Sequence, residues 1–181
     1  MPPESPELIH SQDTNRMTWP ANLSTPYYYH FCHIMKDFAQ LLDKEDDASY
    51  FQHEMATVAE AYNNKYLDRE TGRYSNNTVT ANILPLAFGM VPQAMEPKVF
   101  ANIIDKTEKD FDGHVSTGVV GIQHLMRTLT EYGRGDLAFR MASADTYPSW
   151  GYMAKHGATT IWELRNGNTP DPSMNSGNHV M

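Results

Sequence analysis

The feature that most constrains this chain is a spacing of apolar residues by threes and fours that starts, stops and restarts along most of its length. Tyr28, Phe31, Ile34, Met35, Phe38, Leu41 and Leu42 recur at that spacing, which lines one side of a helix with 3.6 residues per turn. Ser24-Thr25-Pro26 just before it offers capping hydroxyls and a first-turn proline, so the helix is predicted to start there. Asp43-Lys44-Glu45-Asp46 interrupts the run, and Tyr50, Phe51, Met55, Val58, Ala59, Tyr62 and Leu67 resume it as a second helix. Asp68-Arg69-Glu70-Thr71-Gly72 reads as a turn. A third helix is predicted from Thr78 to Phe88, ended by Gly89 and Pro92 and bent or shortened by Pro85. A fourth runs from Glu96 to Lys109 on Val99, Phe100, Ile103 and Ile104. Asp112-Gly113-His114 is a loop, and Ser116-Thr117 are expected to cap a fifth helix carrying Val119, Val120, Ile122, Leu125, Met126 and Leu129. Gly133-Arg134-Gly135-Asp136 opens a sixth, through Met141. From Tyr147 onward proline, glycine and asparagine are frequent, and long ordered loops are expected.

Helices paired through short turns suggest a row of three α-hairpins. The odd-numbered helices carry small and hydroxyl residues (Ser24, Thr25, Thr78, Thr80, Ala81, Thr117, Gly118, Gly121), while the even-numbered ones are ordinary amphipathic helices. That asymmetry fits an inner ring wrapped by an outer ring; a plain orthogonal bundle satisfies the same pattern. Residues 1–17 form an irregular Pro- and Ser-containing segment, and 18–181 the helical domain. The chain stops at Asn178-His179-Val180-Met181 with no polar fade-out, so it reads as a piece truncated at both ends of a longer protein.

Charge and cysteine content narrow the function. A formal net charge of −8 argues against nucleic acid or an anionic membrane as partner. The single cysteine, Cys32, closes no disulfide and builds no zinc cluster. No signal peptide and no run of membrane-spanning length is present, which leaves the compartment open.

Chemistry concentrates between Asp145 and Met181. Tyr147-Pro148-Ser149-Trp150-Gly151-Tyr152-Met153, Gly157-Ala158-Thr159-Thr160-Ile161-Trp162-Glu163 and Pro172-Ser173-Met174-Asn175-Ser176-Gly177-Asn178-His179 interleave aromatics, glycines and amides around few carboxylates. Aromatic faces for C–H surfaces and amides for hydroxyls are what a sugar pocket uses. Glu163 is the only Asp or Glu between Asp145 and Asp171. In an aromatic, partly dehydrated loop its pKa would rise toward the range of a general base. The residues alone equally allow a Glu that caps a helix or pairs with Arg165.

These runs resemble the bacterial α-L-rhamnosidases of glycoside hydrolase family 78. His114-Val115-Ser116-Thr117-Gly118, Gly133-Arg134-Gly135-Asp136-Leu137-Ala138 and Thr80-Ala81-Asn82 through Phe88-Gly89 extend the likeness upstream, from about Thr18 to the end. The resemblance implies an all-α fold, an incomplete (α/α)6 barrel of about three α-hairpins with a long C-terminal site loop. It also implies hydrolysis of terminal α-L-rhamnosyl groups with inversion, on a rhamnose-containing glycoside or polysaccharide. Glu163, at the Glu of Thr-Thr-x-Trp-Glu, would be the general base. His179, after Asn-Ser-x-Asn, would contact the sugar with Asn178, and Trp150 and Trp162 would wall or support the pocket. No metal or organic cofactor is implied, since two carboxyl groups and water suffice.

Two departures stand out. The acidic motif that supplies the general acid has no counterpart, since Asp68-Arg69-Glu70-Thr71-Gly72 reads as a solvated turn, so this chain alone is expected to be inactive. Arg165 stands where the family places an aromatic. His114 and His156, in loops beside the segment, are further candidates for pocket lining, with Arg165. His30, His33, His53 and His124 lack partners at metal-ligand spacing. The contrasting reading is a non-catalytic helical remnant that binds glycans or packs on neighbouring domains of the parent chain.

Overall fold

A computed structural model describes residues 17–162. Its elements are α1 (Ala21–Leu41), α2 (Glu45–Tyr66), a two-stranded hairpin of β1 (Leu67–Asp68) and β2 (Arg73–Tyr74), α3 (Val79–Ala87), α4 (Glu96–Asp105), α5 (Val119–Glu131), α6 (Gly135–Ser143) and α7 (Trp150–Lys155). A single 3-10 turn, Gln93–Met95, leads into α4, and a wider π turn, Lys106–Asp110, leaves it.

The helices pair as α1–α2, α3–α4 and α5–α6, and α3 also lies against both α1 and α5. Three hairpins therefore stand side by side with α1, α3 and α5 touching in a row and α2, α4 and α6 behind them. This is a segment of an inner and outer ring, as the small-residue asymmetry anticipates.

α3 is the centre of the arrangement. Every residue from Val79 to Leu86 is buried, so this nine-residue helix has no solvent face, and the polar groups it carries must find partners inside. Thr78 caps its start, accepting from the Ala81 N–H at 3.2 Å. Asn82 accepts from the Tyr74 N–H at 3.0 Å and donates to the Thr78 carbonyl at 2.8 Å and to Asn77 Oδ1 at 3.0 Å. Gly121 lets α5 come close: a Cβ there would lie 2.6 Å from Thr80 Oγ1 and 2.8 Å from Thr117 Cβ. A second buried polar group joins hairpin to hairpin. Asn22 donates to the Tyr62 hydroxyl at 3.0 Å, Tyr62 stacks on Tyr74, Tyr74 donates to Asn63, and Asn63 donates to the Met90 carbonyl at 2.8 Å. Burial pushes both the Tyr62 and Tyr74 hydroxyls well above the ordinary tyrosine pKa, which keeps them as neutral hydrogen-bonding groups.

Several elements depart from the sequence expectation. α1 begins at Ala21, not at Ser24-Thr25-Pro26; Ser24 Oγ donates back to the Pro20 carbonyl, and Pro26 sits inside the helix. Leu67 belongs to the strand after α2, not to its apolar side. Ser116 and Thr117 do not cap α5. Gly118 holds the cap position with no side-chain bond because α5 starts at Val119, which leaves Ser116 and Thr117 upstream of the cap, buried on the approach to the helix. The segment after Tyr147 is not loop throughout, since α7 forms there, capped by Ser149, which accepts from the Tyr152 N–H at 3.0 Å.

Phe88, at the end of α3, is held between two histidines of its neighbours. His30 of α1 stacks on it at 4.5 Å between centroids, and His124 of α5 meets it edge-on at 4.8 Å. Tyr27 adds an edge contact to Phe88, and its hydroxyl lies 3.3 Å from His124 Nε2. Burial first, then the neighbouring His33 for His30 and His30 and Arg127 for His124, holds both imidazoles below the ordinary histidine pKa. Both are thus neutral in the fold while the unfolded chain takes up protons near pH 6.5, so the unfolded form gains as pH drops through that value. Melting temperature is therefore expected to fall between pH 7 and pH 5, above the range in which carboxylates titrate. The double variant His30→Gln/His124→Gln should flatten that slope whatever its absolute stability; an unchanged slope would remove these imidazoles as its source.

Candidate functional site

The starts of α1, α3 and α5 gather at one end of the row, and the segment after α6 returns to this end. Thr18 Oγ1 meets Thr78 Oγ1 at 2.8 Å, and Asn76 Nδ2 donates to the Met17 carbonyl at 2.8 Å, which ties the approach to α1 onto the approach to α3. On the far side the approach to α5 passes through His114.

His114 is half-buried and bridges two loops. Its Nδ1 faces the Asp112 and Phe111 carbonyls at 3.1 and 3.3 Å, and its Nε2 lies 2.8 Å from Thr146 Oγ1. Carbonyl oxygens only accept, so Nδ1 carries the proton and Nε2 of a neutral ring accepts from the threonine hydroxyl. The 111–117 loop is thereby fastened to the strand of chain that introduces α7.

α7 is docked by two further devices. Lys155 Nζ pairs with Asp145 Oδ2 at 3.0 Å across its base, an exposed pair that aids orientation more than stability. Gly151 is the tighter requirement, because a Cβ at that position would sit 2.3 Å from the Ala144 carbonyl oxygen and 3.0 Å from Asp145 Cα. Trp150, its first residue, packs part of its surface on the core. Tyr152 meets Tyr147 edge-on at 5.2 Å and His156 at 4.0 Å, and His156 Nδ1 is 2.8 Å from the Tyr152 carbonyl. Trp162 is half-buried at the end of the described residues.

Of the residues singled out from sequence, His114, Trp150 and His156 therefore belong to one connected loop cluster, with His114 and Trp150 anchoring it and His156 on its exposed side, while Trp162 is half-buried six residues beyond His156. Glu163, Arg165, Asn178 and His179 lie outside the described residues. The turn Asp68–Gly72 is a surface hairpin loop. Asp68 accepts from the Glu70 and Thr71 N–H groups and from the Thr71 hydroxyl, which depress its pKa below the ordinary carboxylate value. It is occupied with shaping the turn. Thr146, Gly151 and the Asp145–Lys155 pair were not foreseen. The one sequence signal for them was a glycine directly after Trp150 in a helix-forming run.

Among the described residues one cleft borders the His114 loop and another lies away from the cluster. One of about 220 Å³ is lined by Glu108, Asp112, Gly113 and Arg140, and one of about 500 Å³ runs between α1 and α2 past Lys36, Gln40 and His53. In the first, Glu108 is engaged by Arg134 and Arg140 at 2.7 and 2.9 Å. Among the described residues no group of three or more His, Cys, Asp or Glu is placed to hold a metal ion, and no helix is long and apolar enough to cross a membrane.

Comparison with known proteins gives a consistent result. The family model described as the bacterial alpha-L-rhamnosidase 6 hairpin glycosidase domain matches residues 5–181. An alpha-L-rhamnosidase of Streptomyces avermitilis is 32% identical over 162 residues, covering 87% of this chain and 15% of its own length. The structure of the Streptomyces avermitilis enzyme complexed with L-rhamnose superposes with a TM-score of 0.81 at 31% identity, over 87% of this chain and 16% of that one. The native enzyme of Aspergillus terreus superposes with a TM-score of 0.84 at 26% identity, over 92% and 20%. The chain thus spans no more than a fifth of the length of these relatives.

The docking of α7 makes a direct prediction. Gly151→Ala places its new methyl against main-chain atoms that no rotamer change can clear, at a cost of about 1–3 kcal/mol. α7 is expected to detach locally, with faster tryptic cleavage after Lys155 and a lower melting temperature. Cleavage at the wild-type rate would mean that α7 does not depend on this contact.

Proposed function

This chain belongs to the bacterial α-L-rhamnosidases of glycoside hydrolase family 78, through their six-hairpin glycosidase domain, and from that premise we propose that it is the part of a larger inverting α-L-rhamnosidase that carries the general base and one side of the sugar pocket. The observation that carries this reading is the sequence Gly157-Ala158-Thr159-Thr160-Ile161-Trp162-Glu163, set directly behind a helix that the fold takes care to anchor. A catalytic carboxylate must be held to a fraction of an ångström. The His114–Thr146 bridge, the Gly151 contact and the Trp150 packing fix the chain that leads to Trp162.

In this proposal Glu163 removes a proton from a water molecule as that water attacks C1 of the rhamnosyl group. The glycosidic bond breaks on the opposite face, its electron pair leaving on the aglycone oxygen, which takes a proton from a second carboxyl group. Inversion requires the two carboxyl groups roughly 6.5–9.5 Å apart, with room for the water between. The acid belongs to a part of the protein outside this chain. Trp162 and Trp150 supply or support an apolar wall, which also raises the basicity of Glu163 by excluding water. His179 and Asn178 hold sugar hydroxyls, and Arg165 takes part in the wall or tempers Glu163. His114 and His156 line the approach. The substrate is a rhamnose-containing glycoside or polysaccharide.

The test is Glu163→Gln in the full-length protein. Turnover of an aryl α-L-rhamnoside is expected to drop by about 10²–10⁴-fold, the usual contribution of a positioned base. Rhamnose affinity should remain within a few-fold, since the amide preserves shape. Near-wild-type turnover would take Glu163 out of the mechanism.

A further inference from the structure

A charged cluster lies behind the His114 loop. Arg134, at the cap position of α6, and Arg140, within the helix, both donate to the same oxygen of Glu108, at 2.7 and 2.9 Å. Arg134 also holds Asp136 through contacts of 3.0 and 3.2 Å, so its guanidinium is fixed on two sides. Glu108 belongs to the π turn Lys106–Asp110 that leaves α4. The two arginines, Arg134 foremost, hold its carboxyl below the ordinary glutamate pKa, so the pairing is present at neutral pH.

The cluster ends against the main chain of the loop. A Cβ added to Gly113 would lie 3.6 Å from Arg140 Nε and 3.8 Å from its Cζ, so the guanidinium is in contact distance of a buried glycine. Support matters at this point because Asp112 and Gly113 both take left-handed backbone, with φ of 49° and 71°. A residue other than glycine keeps that conformation when its surroundings impose it. On the loop's own side the Gly113 N–H donates to the Thr107 carbonyl at 2.9 Å and the His114 N–H to the Phe111 carbonyl at 2.8 Å. On the other side lies the cleft of about 220 Å³ between Glu108, Asp112, Gly113 and Arg140. Its lining carries no large apolar side chain, so the guanidinium and not apolar packing spans from α6 to the turn. An exposed ion pair adds little stability. A guanidinium gripped by a carboxylate and set against a buried peptide defines a position instead.

We propose that Arg140 is a positioning residue of the site: gripped by Glu108, it props the Asp112–Gly113 turn, which sets His114 where its Nε2 meets Thr146 and so places the chain that leads through α7 to Trp162. Arg140 itself touches neither the sugar nor the reacting atoms. Its contact with the turn is independent of the role proposed for Glu163, whereas its effect on turnover rests on that role.

The test is Arg140→Ala in the full-length protein, measured beside Glu163→Gln. The Arg140 side chain is 59% exposed, so the helical circular dichroism of the variant should match wild type. Amide hydrogen exchange is expected to quicken by about 10-fold or more in residues 111–117 and 144–156 while α3 keeps its protection. Turnover of an aryl α-L-rhamnoside should fall by about 10–100-fold in kcat, with KM within about 2-fold, as when reacting groups are misplaced and ground-state binding is kept. Millimolar guanidinium, seated beside Glu108 in the enlarged cleft, should restore both exchange and kcat, and sodium chloride at equal ionic strength should restore neither. Wild-type exchange in both segments would overturn the proposal whatever the turnover. So would loosened loops with unchanged kcat in a protein that Glu163→Gln inactivates, or a defect on which guanidinium and sodium chloride act alike. Should Glu163→Gln retain turnover, the role of Glu163 falls, and the exchange measurement still decides whether Arg140 props the turn.

Discussion

The close approach of α5 to α3 at Gly121 is the constraint on which the rest of the structure depends. With Thr80 and Thr117 already in the space a methyl would take, the two inner helices can lie side by side only because one residue has no side chain. That contact gives α3 neighbours on every side. A helix without a solvent face must satisfy its own polar groups, and Asn82 does so by gripping both the Tyr74 backbone and the start of the helix. The β1–β2 hairpin is short, yet it serves this purpose: it delivers the Tyr74 N–H to Asn82 and the Tyr74 ring to Tyr62.

From this centre the influence runs to the site end. The close approach of α3 and α5 at Gly121 and the Thr18–Thr78 contact gather the helix starts into one surface, onto which the chain after α6 folds back. His114 then works as a clamp between the approach to α5 and the approach to α7. The catalytic proposal thus leans on packing as well as on carboxylate chemistry. A disturbance at Gly121 or Gly151 would shift the geometry of the loop before it altered its chemistry.

Much of this was legible from the residues, and the exceptions have physical reasons. Helix periods and breaks were plain because long amphipathic segments repeat the same spacing several times. The start of α1 was misplaced because Ser24 and Pro26 are the residues of a helix beginning, yet contacts through Met17 and Thr18 pull the helix back to Ala21. Ser116 and Thr117 look like caps but are spent in the crowded approach to α5. α7 and the hairpin are too short to print a period of their own. The spacing of Tyr28, Phe31, Met35, Phe38 and Leu42 fixed the helix period of α1, yet all five side chains are exposed in the structure, because periodicity shows which residues share a side of a helix and not what lies against that side. The aromatic loop pointed to its family by residue identity, while Glu163, Arg165, Asn178 and His179 lie beyond the described residues and keep the roles proposed for them.

The central claim is that the site around Glu163 works by activating water on the face opposite the departing aglycone. Proton NMR of the sugar released by the full-length protein from an aryl α-L-rhamnoside reads this directly, before mutarotation blurs the signal. The account predicts that the β anomer of rhamnose appears first. First appearance of the α anomer would mean a covalent, retaining route, with Glu163 in some other role.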